Sequence, residues 1–145
     1  MKNHKTLANL EEVLANSYSL MLKTHNYHWN VFGENFKSLH ELFGAQYEEL
    51  FAAVDEIAER IRTIGFKVDG SFENFLKLTK FQKGDKDFVA GKMIDDLISD
   101  NEALVGDLKQ GVKTAQSEED EATADIFIGR IQIHEKAIWM LQSSR

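Results

Sequence analysis

The apolar residues Phe36, Leu39, Phe43, Tyr47, Leu50, Val54, Ile57, Ile61 and Ile64 step by three and four without a break. That is the period of one buried face of an α-helix, sustained too long for any strand. Gly65 follows where a helix C′ residue belongs. A stripe of this length needs other helices to cover it, so the chain must build a helical bundle. The rest agrees: there is no proline and the nine glycines are scattered, so the punctuation of strand-and-turn folds is missing. The class is all-α, and 145 residues make a single domain with its own core.

Leu7, Leu10, Leu14, Tyr18, Met21 and His25 trace an earlier helix lasting to about His28. Only "WNVFGEN" separates it from the second, which makes the two antiparallel neighbours. After Gly65 comes a connection of about twenty residues, long enough to cross the bundle. It carries Gly70, Gly84 and a short helix, "SFENFLKL", opened by Ser71. A third long helix runs through Phe88, Ile94, Leu97, Asn101, Leu104, Leu108 and Val112, and breaks near "AQSEED". Ser117 and Asp120 form a capping-box-like pair opening a fourth, with the stripe Ile126, Ile133, Ala137 and Met140. Short, long and short connections describe a four-helix bundle with one crossover.

The net charge of −7 opposes nonspecific binding to nucleic acid or anionic lipid and favours cations. No cysteine is present, which excludes disulfides and thiolate chemistry. "MKNHKTLANLEEVL" has no signal-peptide core and no segment approaches ~20 apolar residues. The expected location is cytoplasmic, with no membrane partner.

The chemistry-bearing residues lie beside the second helix's stripe. At ~100° per residue, His40, Phe51, Asp55, Glu59 and Arg62 share one flank. Asp55 and Glu59 are ~6 Å apart along it and can converge on one cation. Imidazole with carboxylate suits Fe(II), Zn or Mn, and open positions on such a site suit oxygen or peroxide chemistry. His40 and Asp55 nevertheless stand roughly 22 Å apart along a straight helix and cannot share an ion within one chain. Two copies of the helix paired antiparallel about a two-fold axis would bring His40 of one to Asp55 and Glu59 of the other and bury Phe51. The plainer reading is a solvated helix face paired through Glu56, Arg60 and Arg62. His25 is read as structural, and Tyr47 and Trp139 as core. No histidine follows a glutamate by three residues, so the Glu-x-x-His pairs of an intrachain di-iron bundle are missing.

"HWNVFGENFKSLHELFGAQYEELFAAVDEIAERIRTIG", His28 to Gly65, closely resembles the Dps family of mini-ferritins. The shared pattern is His-Trp-Asn-Val, Gly, Phe, Leu-His, Phe, Tyr, Leu, Asp and Ala-Glu-Arg-Ile in register. "DEATADIFIGRIQIHEKAIWML", Asp120 to Leu141, resembles that family's last helix. The resemblance implies a ferritin-like four-helix bundle whose long crossover carries a short helix. It implies iron sites between two-fold-related subunits, with His28 and His40 of one facing Asp55 and Glu59 of the other. It implies oxidation of Fe(II), preferably by hydrogen peroxide, and storage of Fe(III) mineral in a homododecamer built from two-fold dimers, which protects against oxidative damage. Trp29 either lends an electron when one iron is bound or packs at the helix reversal. Asp120 and Asp125 match positions lining a three-fold iron-entry pore, while their ordinary role would be to favour a helix N-terminus. Twelve chains would carry about −84 in all, drawing Fe²⁺ inward. The alternative function is DNA compaction. Direct DNA binding is not expected, because only Lys2 and Lys5 stand near the start and the chain ends "LQSSR". Lys77, Lys80, Lys83 and Lys86 read as a solvated face. The proline the family often carries shortly after the equivalent of Gly65 is absent.

Overall fold

A computed structural model describes residues 3–145; Lys2 of the N-terminal segment lies outside them. The helices are α1 (His4–Asn30), α2 (Phe36–Thr63), α3 (Phe72–Leu78), α4 (Ala90–Ser117) and α5 (Glu121–Gln142). α1 lies along α2 and α4 along α5. The two hairpins join through α1 and α4, and α3 rides on α1. The fold is therefore all-α, four long helices with a crossover that carries a short one.

The helix ends follow from local chemistry. α2 closes in a Schellman motif: Phe66 N–H donates to Ile61 C=O at 3.1 Å and Gly65 N–H to Arg62 C=O at 3.0 Å, with Gly65 at φ +103°. Glycine takes this left-handed conformation without strain. α3 starts where expected, the Ser71 hydroxyl accepting from Asn74 N–H. At the α4–α5 corner the capping pair is not the expected one. Ser117 is the last residue of α4 and donates to Thr114 C=O, while Asp120 alone caps α5, accepting from Thr123 N–H. Glu118 lies between them and reaches back to α1, accepting from the amides of Lys5 and Thr6 and the hydroxyl of Thr6. α1 has no side-chain cap of its own, so a residue 112 positions away supplies one.

The core is built on Leu10, Leu20, Tyr27, Phe43, Ile57, Ile61, Leu97, Leu104, Leu108 and Phe127, all fully buried. The α2 stripe enters it from Leu39 onward. Phe36, in the first turn, is 44% exposed and lies over His40 instead, ring centroids 5.1 Å apart. The fourth helix turns a different face inward from the one its isoleucines suggest. Its buried residues are Thr123, Ala124, Phe127, Arg130, His134 and Leu141, whereas Ile133, Met140 and Trp139 are exposed, so Trp139 is not core. Polar groups face inward here because they find partners, Arg130 Nε alone among these side chains being left without one. His134 Nδ1 meets Asn101 Oδ1 at 2.7 Å and its Nε2 meets Arg130 at 3.0 Å. Arg130 forks onto Glu49 of α2.

Candidate metal centre

α1 ends and α2 begins around a short reversal, and this brings His28, in the last turn of α1, beside His40, in the second turn of α2. Their rings stack at 3.9 Å, 14° from parallel. Each is tied to the other's backbone. His28 Nδ1 lies 2.6 Å from the carbonyl oxygen of His40, and His40 Nδ1 lies 2.6 Å from the carbonyl oxygen of His28. A carbonyl oxygen can only accept, so both Nδ1 atoms carry the proton. In the neutral imidazoles the lone pair then sits on Nε2, the form in which histidine binds a metal, with the second-nitrogen hydrogen bond that orients a metal-ligating ring.

Asp55 and Glu59, about four and five turns beyond His40 along α2, are exposed. Arg60 and Arg62, which the plain surface reading assigned to pair with them, are engaged elsewhere. Arg60 donates to Asp120 and to the Thr123 hydroxyl, both at 2.9 Å, and Arg62 to the carbonyl of Phe66. Neither arginine is therefore paired with Asp55 or Glu59. Among the described residues no three metal-ligating side chains of one chain gather together. His28 and His40 are brought together; Asp55 and Glu59 stand apart from them, further along the helix of His40. Phe51, between the two halves, is 61% exposed, an unfavourable placement for a phenyl ring in a lone chain.

His25 is wedged into an aromatic column, its ring 3.8 Å from Trp29 and 3.6 Å from Tyr47. Burial, then the neighbouring His28, lowers its pKa. Trp29 is 59% exposed on the far side of that column. Asp120 is buried and fully engaged: Thr123 donates to both its oxygens and Arg60 to one. Burial works to raise its pKa, but these hydrogen bonds and the Arg60 charge outweigh it and hold the carboxyl below its usual range. Asp125 is exposed. On the crossover, Lys80 pairs with Asp107 and Lys86 with Asp87, as a solvated face would.

Sequence reasoning missed Gly44, Arg130 and His134. A glycine interrupting "HELFGAQYEEL" is a visible anomaly in a helix, whereas the partners of Arg130 and His134 lie on other helices and leave no mark in the linear pattern.

Comparison with known proteins agrees with this architecture. Residues 7–144 match the family model described as a ferritin-like domain. A low temperature-induced protein of Nostoc is 42% identical over 92% of this chain and 76% of its own length. DNA protection during starvation protein 2 of Bacillus anthracis is 35% identical over 97% of both chains. The Dps protein of Vibrio cholerae, described as a member of the ferritin-like diiron-carboxylate superfamily, superposes with a TM-score of 0.93 at 28% identity, covering 97% of this chain and 89% of that one. With its one-crossover bundle, its paired histidines at the helix reversal and these relatives, the chain belongs to the Dps family of ferritin-like mini-ferritins.

Proposed function

We propose that this protein oxidises Fe(II), preferably with hydrogen peroxide, and stores the Fe(III) product inside a closed shell of twelve chains. The observation that carries the reading is the reciprocal clamp of His28 and His40, which holds a proton on Nδ1 of each ring and leaves Nε2 as the nitrogen that can bind a metal. Asp55 and Glu59 of a two-fold-related copy complete the ligand set. Two imidazoles and two carboxylates match the donor chemistry of iron, and the carboxylate charge favours Fe(III) over Fe(II). The two electrons that break the peroxide O–O bond come from two Fe(II) ions, so peroxide leaves as water and no hydroxyl radical remains.

The surface supports assembly through more than one contact. Leu22 and Trp29 of α1, Phe51 of α2 and Phe72 and Leu76 of α3 are exposed, an apolar set suited to the two-fold partner. Ile128, Ile133, Trp139 and Met140 of α5 form a second set, and a closed shell needs a second kind of interface. Asp125 remains the freer candidate for an iron-entry pore, since Asp120 is spent on its own helix start and Arg60. Trp29 stands beside His28 through His25, where it can lend an electron when a single iron is bound. The net charge and the paired crossover lysines argue against direct DNA contact.

The test is to mix a size-fractionated apo-protein with Fe(II) under anaerobic conditions and then add peroxide. Soluble mineral with little hydroxyl radical is expected, and iron precipitating as it does in buffer would refute the reading. His40→Ala and Asp55→Ala should each slow oxidation at least ~10-fold with the shell intact. An unchanged rate in either would remove that residue from the ligand set.

A further inference from the structure

Gly44 sits in the interior of α2, one turn after His40, where a glycine weakens a helix relative to alanine. Its surroundings explain the residue. A Cβ built there would stand 2.9 Å from His28 Cε1 and 3.0 Å from His28 Nδ1. Elsewhere in the long helices, Gly91, Gly106 and Gly129 have nothing within 4 Å of a Cβ, and Gly111 approaches only the core ring of Phe127, at 2.9 Å, so position 44 is the helical glycine whose missing side chain makes room for an imidazole. The ring it meets has little freedom to retreat. Its Nδ1 is bonded to the His40 carbonyl at 2.6 Å, and its face lies on the His40 ring at 3.9 Å.

We propose that Gly44 is a positioning residue for the His28–His40 pair: by leaving out a side chain it lets the His28 ring lie flat against α2, where the His40 carbonyl holds its proton on Nδ1. The inference rests on the metal-binding reading and deepens it. Any side chain at position 44 must push the ring outward, which lengthens the Nδ1 bond or opens the stack. A ring freed from that carbonyl is no longer held in one tautomer, and Nε2 then carries the proton part of the time. The lone pair offered to the metal is lost in proportion. Gly44 itself touches no metal; it acts through His28.

The test compares Gly44→Ala with Gly106→Ala in the assembled protein, using a crystal structure of each and a titration with Co(II) alone. Both variants should fold and keep their thermal stability, since alanine favours a helix. In Gly44→Ala the His28 ring should move out of hydrogen-bonding range of the His40 carbonyl, and Co(II) affinity should fall ~10- to 100-fold. Gly106→Ala should change neither. Adding Gly44→Ala to His28→Ala should cause no further loss, because the ring it displaces is gone. An unmoved ring, or undiminished Co(II) affinity in Gly44→Ala, overturns the proposal. If the unaltered protein takes up no Co(II), the metal reading itself has failed, and the proposal fails with it however the ring moves. A displaced ring with normal Co(II) uptake sinks the proposal and leaves the metal reading standing.

Discussion

His134 is an imidazole kept neutral in the core: burial first, then the adjacent Arg130 guanidinium, lowers its pKa from 6.5 to about 3. The unfolded chain takes up a proton on this residue below pH 6.5 that the folded chain refuses until near pH 3. Stability is therefore greatest above 6.5 and falls as the pH drops through that window, at up to ~1.4 kcal/mol per pH unit. Glu118 and Asp120 act in a lower window. Their pKa values are lowered in the fold, so their contribution is present above the unfolded carboxylate range and lost below it. His134→Gln should cost ~1–3 kcal/mol at pH 7 yet flatten the decline between pH 6.5 and 4, as read by urea unfolding at a series of pH values. An unflattened decline would place the acid sensitivity elsewhere. At this scale ligand chemistry and helical spacing, both local, marked His40, Asp55 and Glu59 as candidates, while His28 entered only through the family resemblance. It concealed His134 and Arg130, whose burial depends on Asn101 and Glu49, 33 and 81 positions away.

Among the elements, α2 was legible beyond its first turn: from Leu39 the apolar stripe and a terminal glycine leave one solution, while Phe36 turns to His40 and not to the core. α5 was not. Its isoleucines outline a plausible apolar face, but the buried face carries an ion pair and a histidine that only the neighbouring helices make affordable. The α4–α5 corner was half legible, since Asp120 caps α5 as its residue type suggests, whereas Ser117 belongs to the helix before. That corner holds a local strain. Glu119 adopts φ +61°, with its amide bonded to Gln116 C=O and that of Asp120 to Ala115 C=O, a Schellman turn in which glycine is the favoured residue. Glu119→Gly should raise unfolding stability by ~1 kcal/mol, measurable as a higher Tm. A lower Tm would mean that the side chain contributes more than the backbone strain costs.

For the whole molecule, the two apolar surface sets predict two different failures. Phe51→Glu places a charge at the proposed two-fold seam; light scattering should show loss of paired species, and Fe(II) oxidation should fall to near the buffer rate although all four ligands remain. Trp139→Glu disturbs the α5 set and should leave smaller assemblies that still oxidise Fe(II) with peroxide but let the product precipitate. Equal effects of both substitutions would contradict the separation of the two faces. The overall bundle was legible from helix periods and connection lengths, and Phe51 was marked by its flank, but the apolar face of α5 was not, because a stripe in sequence does not say whether its partner is the same chain or another.

The mutual tethering of His28 and His40 has a consequence for timing. Because each ring is anchored by the other's backbone, this half of the centre is ready as soon as the α1–α2 hairpin forms, before any second copy arrives. The carboxylate half lies exposed on α2 and does nothing on its own. On the proposed reading, a solitary chain cannot begin the reaction, and pairing switches it on. On that reading iron chemistry would be interlocked with assembly, and no ferric product would form until the container for it was being built.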